Sequence, residues 1–377
     1  MPFSIRSLRR LPTPAVSLQS EPLLKVLTSK ISTNRDSFTV DYLVHSCGLS
    51  FEAAISSSQK VHLESPKRAD TVLALLKDRG FTKTQISSLV KKRPSLLLAH
   101  AHNTLLPKLE FFYSIGVSSS DLARTLSSDP TLLTRSIENQ IVPSYNFLKS
   151  ILLSNEKIVS ALKRTTWIFL EDYSKNLMPN VERLREIGVT HSCISLLLTN
   201  FPEAVLQRHG EFNKVVKEVK EMGFDPKKSI FVMAVHAISG KSNKAIWNKC
   251  FEVYKRWDWS KDDIFAAFKK HPHCMMLSEK KIMLAMDFFV NKMGLPSKVI
   301  AQCPVLLFFS LEKRIVPRCR VIRVLMNKGL VKKDVSLATV LVPTEKCFLD
   351  RFVIKYEEEV PLLLRVYEGK IDVQFCN

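Results

Sequence analysis

Thr82, Ser118, Ser154 and Thr190 stand 36 residues apart, and Asp225 and Ser260 continue the series in steps of 35. Twelve residues after each lies a second column, Pro94, Pro130, Thr166, Pro202, Ala237 and Pro272, mostly proline. A third column, Pro107, Pro143 and Pro179, keeps the step of 36, and Pro317 follows Pro304 by 13 as Pro107 follows Pro94. A fixed period of this length constrains the fold more than composition can. One period is one supersecondary unit that cannot hide its apolar face alone, so copies must stack.

Each column has a physical role. Ser, Thr and Asp accept backbone N–H bonds at a helix start and stabilise it by about 1 kcal/mol. Gly80, Gly116 and Gly188 stand two residues before a cap, as Gly48 does before Ser50, where a left-handed residue can end the preceding helix. Thr82 with Gln85, Ser118 with Asp121 and Ser260 with Asp263 have capping-box or similar spacing. Apolar residues follow at helical intervals, such as Ile86, Leu89 and Val90. The proline twelve residues on cannot continue that helix. The third proline column is predicted to open a longer helix, where a missing N–H costs nothing. One unit therefore reads as a longer helix, a tight turn, a shorter helix and a proline-marked turn. Counting caps from Ser50, with two weaker units after Gly294 and Gly329, predicts an all-α fold, an α-solenoid superhelix of about nine repeats over residues 37–345. Residues 346–377 read as a C-terminal cap and tail with the acidic run Glu357-Glu358-Glu359.

Charge and targeting come next. The chain carries 56 basic and 36 acidic residues, a net +20. Residues 1–35 hold six basic side chains and one acid, leaving 50 against 35 in the remainder, so the excess belongs to the body. A basic body attracts polyanions, nucleic acid first. The opening segment, with Arg6, Arg9 and Arg10 and no acid before Glu21, has the composition of an organellar transit peptide; dense early arginines favour a mitochondrion over a chloroplast. No apolar run reaches the ~20 residues of a membrane span. The eight cysteines show no Cys-x-x-Cys pair, which argues against a zinc or disulfide framework.

Phosphate binding along an array needs Lys and Arg recurring at equivalent positions. Lys91-Lys92-Arg93, Lys163-Arg164 and Lys269-Lys270 precede second-column positions; Arg135, Arg208, Lys280-Lys281 and Lys313-Arg314 follow the turns. For one residue a solvated face is the simpler explanation, but recurrence favours function for the set. The candidates are Arg93, Arg135, Arg164, Arg208, Lys270, Arg314, Arg318 and Arg320, arginine being favoured for its bidentate fork. His271-Pro-His273-Cys274 and His100-Ala-His102 lack partners at metal-site spacing, and Trp257-Asp-Trp259 beside the Ser260 cap reads as packing. No phosphate loop, activated nucleophile or carboxylate pair emerges, so neither an enzyme nor a cofactor is expected.

The unit Pro94-Ser-Leu-Leu … Leu106-Pro-Lys-Leu-Glu-Phe-Phe-Tyr-Ser-Ile-Gly116 resembles the repeat of the mitochondrial transcription termination factor (mTERF) family. Phe38-Thr-Val-Asp-Tyr-Leu and Glu345-Lys-Cys-Phe-Leu-Asp-Arg-Phe-Val resemble flanks of its plant organellar members, and the likeness runs from about residue 38 to 371. Thr166, Ala237 and the Gly210-Glu-Phe-Asn stretch depart from the pattern. The resemblance implies a helical superhelix binding organellar DNA or RNA through a basic groove. It implies action in transcription termination or initiation, or in intron splicing and RNA processing, with transcription or splicing proteins as further partners. A monomer without membrane association is expected, and a helical scaffold for another protein is the alternative of a different class.

Overall fold

In the computed structural model of this chain, residues 34–332 and 334–371 are described. The proposed transit peptide lies almost wholly outside them, as does Cys376. The described elements are all helical, and the chain divides into two compact units between Thr134 and Arg135. Each unit is built from the same helical hairpin.

In the N-terminal unit, the longer helix Pro66–Asp78 buries Ala69, Val72, Leu73, Leu75 and Leu76, the stripe that a 3.6-residue period predicts. It ends with Gly80 at φ +85°, while the Phe81 amide donates back to the Leu76 carbonyl. That six-to-one bond needs a left-handed residue, which only glycine supplies without strain. Thr82 then caps Lys83–Lys92 in a full capping box with Gln85. Pro94 stops this helix, and Pro94–Leu98 continues as a 3-10 turn that buries Leu96 and Leu97. Ser118, Ser119–Ser128 and Pro130–Thr134 repeat the pattern.

The start of the longer helix differs from expectation. Pro107, Pro143 and Pro317 stand in the first turn of the α-helix as expected, but helical structure begins before them. A wide π-turn precedes each, at Ala101–Leu105, Ile137–Ile141 and Leu311–Ile315, and the proline sits in the first turn of the α-helix that follows. The proline ring would collide with the carbonyl four residues back and has no amide to offer it. Widening the turn moves that carbonyl aside: the amides of Leu105, Ile141 and Ile315 bond five residues back, to His100, Ser136 and Ser310. Ser136 and Ser310 also cap these π-turns, and Ser278 caps Glu279–Met286, a second cap column the period alone did not expose.

The C-terminal unit contains the irregular repeats. Asp225 is not a helix cap. Its carboxylate accepts from the Lys227 amide in a local turn, and the helix Ser229–Ile238 begins four residues later with Lys228 at its N-cap. Without a proline at Ala237 that helix runs on to Ile238, and no 3-10 segment forms before Gly240–Lys255. Thr166 also lacks proline, yet the chain still turns, into the short helix Trp167–Leu170. Asp258 adopts φ of 60° where other units have glycine, and Leu153, one residue past that place in its unit, adopts φ of 58°. Trp259 is buried and stacks on Tyr254 at 4.4 Å. The chain closes with Glu345–Phe352 and Leu363–Tyr367, whose Phe348 and Tyr367 rings stack.

Candidate nucleic-acid interface

Every unit must dispose of the carbonyls that end its 3-10 segment or short helix, since the chain turns away before any amide can reach them. The solution recurs. The residue after each third-column proline points inward: Lys108, Ser144, Asn180 and Arg318 are all buried. Lys108 donates its ammonium to the Leu133 carbonyl. Asn180 donates to Val205 and Gln207 at 2.7 and 2.8 Å while its oxygen accepts from His209 Nδ1. Arg318, 1% exposed, shares Nη1 among the carbonyls of Val340, Leu341 and Pro343 at 3.0, 3.2 and 2.7 Å, and its guanidinium lies 4.7 Å over Phe348. Ser144 is too short, and its hydroxyl finds no partner. One turn earlier, Gln140 replaces it, donating to Phe169 and Glu171 at 3.2 and 2.8 Å. Burial pushes the Lys108 ammonium below the ordinary lysine range, because desolvation disfavours the charge.

This corrects part of the predicted site. Arg318 is a structural donor whose Nη1 is taken up by carbonyls inside the protein and whose side chain is closed off from solvent. Arg314 is half-buried, gives Nη2 to the Pro343 carbonyl at 3.2 Å and lies 4.6 Å over Phe309. Arg320 is half-buried on the same helix and is also engaged. Residue type does not separate these three from surface arginines, and for Arg318 alone the position offered a clue. The signal was a polar residue at one fixed place, proline plus one, within an otherwise apolar stripe.

The other five candidates are exposed. In the N-terminal unit, Arg93 ends the helix Lys83–Lys92 and reaches Thr131 at 3.3 Å. In the C-terminal unit, Arg164 and Lys270 end their short helices, and Arg135 and Arg208 stand where longer helices begin. Lys270 donates to the Gln302 carbonyl at 2.9 Å. All five flank proline-marked turns or their equivalents. None forms an ion pair with a carboxylate among the described residues. Several cations near the other ends of the hairpins do: Arg183 with Glu186 at 3.0 Å, Lys217 with Glu221 at 3.7 Å, Lys255 with Glu252 at 3.6 Å and Lys298 with Asp263 at 3.9 Å. Such surface pairs contribute little stability, but they neutralise the field locally. Positive charge is therefore left over at the proline turns.

One proline turn holds a polar cluster. His236 Nε2 lies 3.2 Å from Glu203 Oε1, and its Nδ1 lies 3.1 Å from His273 Nε2. Phe201 stacks on His236 at 4.1 Å. Desolvation, reinforced by the neighbouring histidines, holds His273 down at about 4. Among the described residues no group of three or more His, Cys, Asp or Glu could hold a metal ion, and no helix is long and apolar enough to cross a membrane.

Stacked helical hairpins with proline-marked turns and a repeating buried donor define a helical-repeat protein. More narrowly, the mTERF family model matches residues 73–282 and 236–349, and the chain belongs to that family. A stretch of 96 residues is 32% identical to "Transcription termination factor MTERF15, mitochondrial" of Arabidopsis thaliana, covering 26% of this chain and 22% of that protein.

Proposed function

We propose that this protein binds organellar DNA or RNA through phosphate contacts made by its proline turns, and regulates gene expression by occupying its target. A bound array would stop or position a polymerase; on RNA it would hold a transcript in a form competent for processing. The observation that carries this reading is the leftover charge. Arg93, Arg135, Arg164, Arg208 and Lys270 recur at equivalent turns without an ion-pair partner among the described residues, whereas Arg183, Lys217 and Lys255, away from those turns, are paired. The named relative is a mitochondrial transcription termination factor, which supports the compartment and the process. On this reading residues 1–35 direct the chain to mitochondria, and a fluorescent fusion of that segment should accumulate there.

The test is nucleic-acid affinity against salt concentration. Neutralising phosphates releases condensed counterions, so log affinity should fall linearly with log salt, by ~0.7 to 0.9 per contact. Changing Arg93, Arg135, Arg164 and Arg208 together to Ala should lower that slope by about 3. A slope unaltered by the quadruple substitution would remove these residues from the interface. Weak binding independent of oligonucleotide length would favour a protein scaffold instead.

A further inference from the structure

The position that follows the second column is occupied in successive units by Ser95, Thr131, Trp167 and Glu203. In these four units the position faces outward, Ser95 and Glu203 being exposed and Thr131 half-buried, and three of the four side chains are polar; further on it holds Ile238, which is buried, and His273 and Val305, which are half-buried. In one unit it carries an indole, 52% exposed. The other three tryptophans are used in packing: Trp259 against Tyr254, Trp247 edge-on to Phe268 at 4.6 Å, and Trp257 through its N–H to the Met283 sulfur at 3.3 Å. Water-exposed indole forfeits burial that any core position would have supplied.

The local frame fixes the ring's base. Ile168, Phe169 and Leu170 are buried, the Trp167 amide donates to Thr165 Oγ1 at 3.2 Å, and Gln140 holds the carbonyls of Phe169 and Glu171. The helix Trp167–Leu170 packs against Ile137–Ile141, which follows Arg135, and against Pro202–Val205, which precedes Arg208. Arg164 stands three residues before the indole and is exposed. The acid at the equivalent place one unit on, Glu203, is engaged by His236 and lies in the field of Arg164. An aromatic face among backbone-binding cations is the arrangement that holds unpaired bases; in a duplex the base faces are covered by their neighbours.

We propose that Trp167 stacks on an unpaired nucleobase, so that the strand at this turn is single-stranded. The inference rests on the phosphate-binding reading above and specifies the form of nucleic acid there. The test uses the full chain, an unstructured oligouridylate and a blunt RNA duplex of equal length, with tryptophan fluorescence and affinity both measured. The single strand should quench a component of the fluorescence that is missing from Trp167→Phe. Trp167→Ala should bind the single strand about 10- to 100-fold more weakly, with an unchanged log-salt slope and unchanged duplex affinity. Trp167→Phe should keep most of the affinity. If the single strand binds with its full salt slope while Trp167→Ala loses nothing, stacking is overturned and the phosphate interface stands. If the Ala variant weakens duplex and single strand alike, the assignment to an unpaired base is overturned. If neither nucleic acid binds, both proposals fall.

Discussion

Two lysine- and arginine-rich stretches, residues 91–108 in the N-terminal unit and 313–320 in the C-terminal unit, read much alike as sequence and are used differently. In the first, Arg93 is exposed and Lys108 alone is buried. In the second, Arg314, Arg318 and Arg320 are all drawn inward, Arg318 completely, and Arg314 and Arg318 donate to carbonyls of residues 340–343. The difference lies in register rather than residue type. A cation one residue after a third-column proline faces the core and binds carbonyls. A cation just before a second-column proline faces water. Basic residues in a repeat array thus divide into those that hold successive units together and those left over for a ligand.

The largest effect should come from breaking the inward set. Arg318→Ala would take the Arg318 donor from the carbonyls of Val340 and Leu341, leave that of Pro343 to Arg314 alone, and should cost about 3 kcal/mol in thermal or chemical unfolding. Arg318→Lys should recover part of this, since Lys108 fills the same place in the first unit. By contrast Arg135→Ala, at an exposed site, should shift stability by less than about 0.5 kcal/mol while weakening nucleic-acid binding. Equal destabilisation by the two would erase the distinction between the classes.

Acidification probes the buried histidines that only the C-terminal unit has. His273 is held at about 4, against 6.5 when unfolded. A depressed histidine means the folded state prefers the neutral ring, so protons bind the unfolded chain first. Stability should therefore fall as pH drops from 6.5 to about 4, by up to about 3 kcal/mol. His273→Gln should flatten that part of the stability profile, and an unchanged profile would place the titration elsewhere.

Gln140 and Ser144 divide between them the task that single residues perform in the other units. Gln140→Ala should cost about 2 kcal/mol by orphaning carbonyls at Phe169 and Glu171, whereas Ser144→Ala should be neutral or stabilise by up to about 1 kcal/mol, because it deletes a buried hydroxyl without a partner. Melting curves of the two variants moving in the same direction would refute this division. The smallest effect is expected at Leu153, 68% exposed and left-handed, one residue past the place where other units have glycine. Leu153→Gly should stabilise by about 0.5 kcal/mol, relief of backbone strain slightly exceeding the entropy glycine adds to the unfolded chain.

The hairpin was legible from sequence because its determinants are local. Thr82 caps through bonds to Gln85, three residues away, and Pro94 stops a helix by its own ring. Asp225 misled because an Asx turn uses the same residue types as a helix cap, and only the following residues decide between them. The candidate interface was half legible. Arg93, Arg135, Arg164, Arg208 and Lys270 lie exposed at the turns, but Arg318 was indistinguishable from them until its partners, more than twenty residues downstream, were in place.

Sequence by itself determined the period, the helical class and the helix starts and stops of the regular units, because capping, proline sterics and apolar spacing act within a few residues along the chain. Tertiary structure alone decided which cations are spent on carbonyls, which of four tryptophans faces water, and how a proline is accommodated by widening the turn before it. Those outcomes depend on which groups stacking brings together, and hydrogen-bond satisfaction across units is set by three-dimensional register, to which residue type alone gives no access.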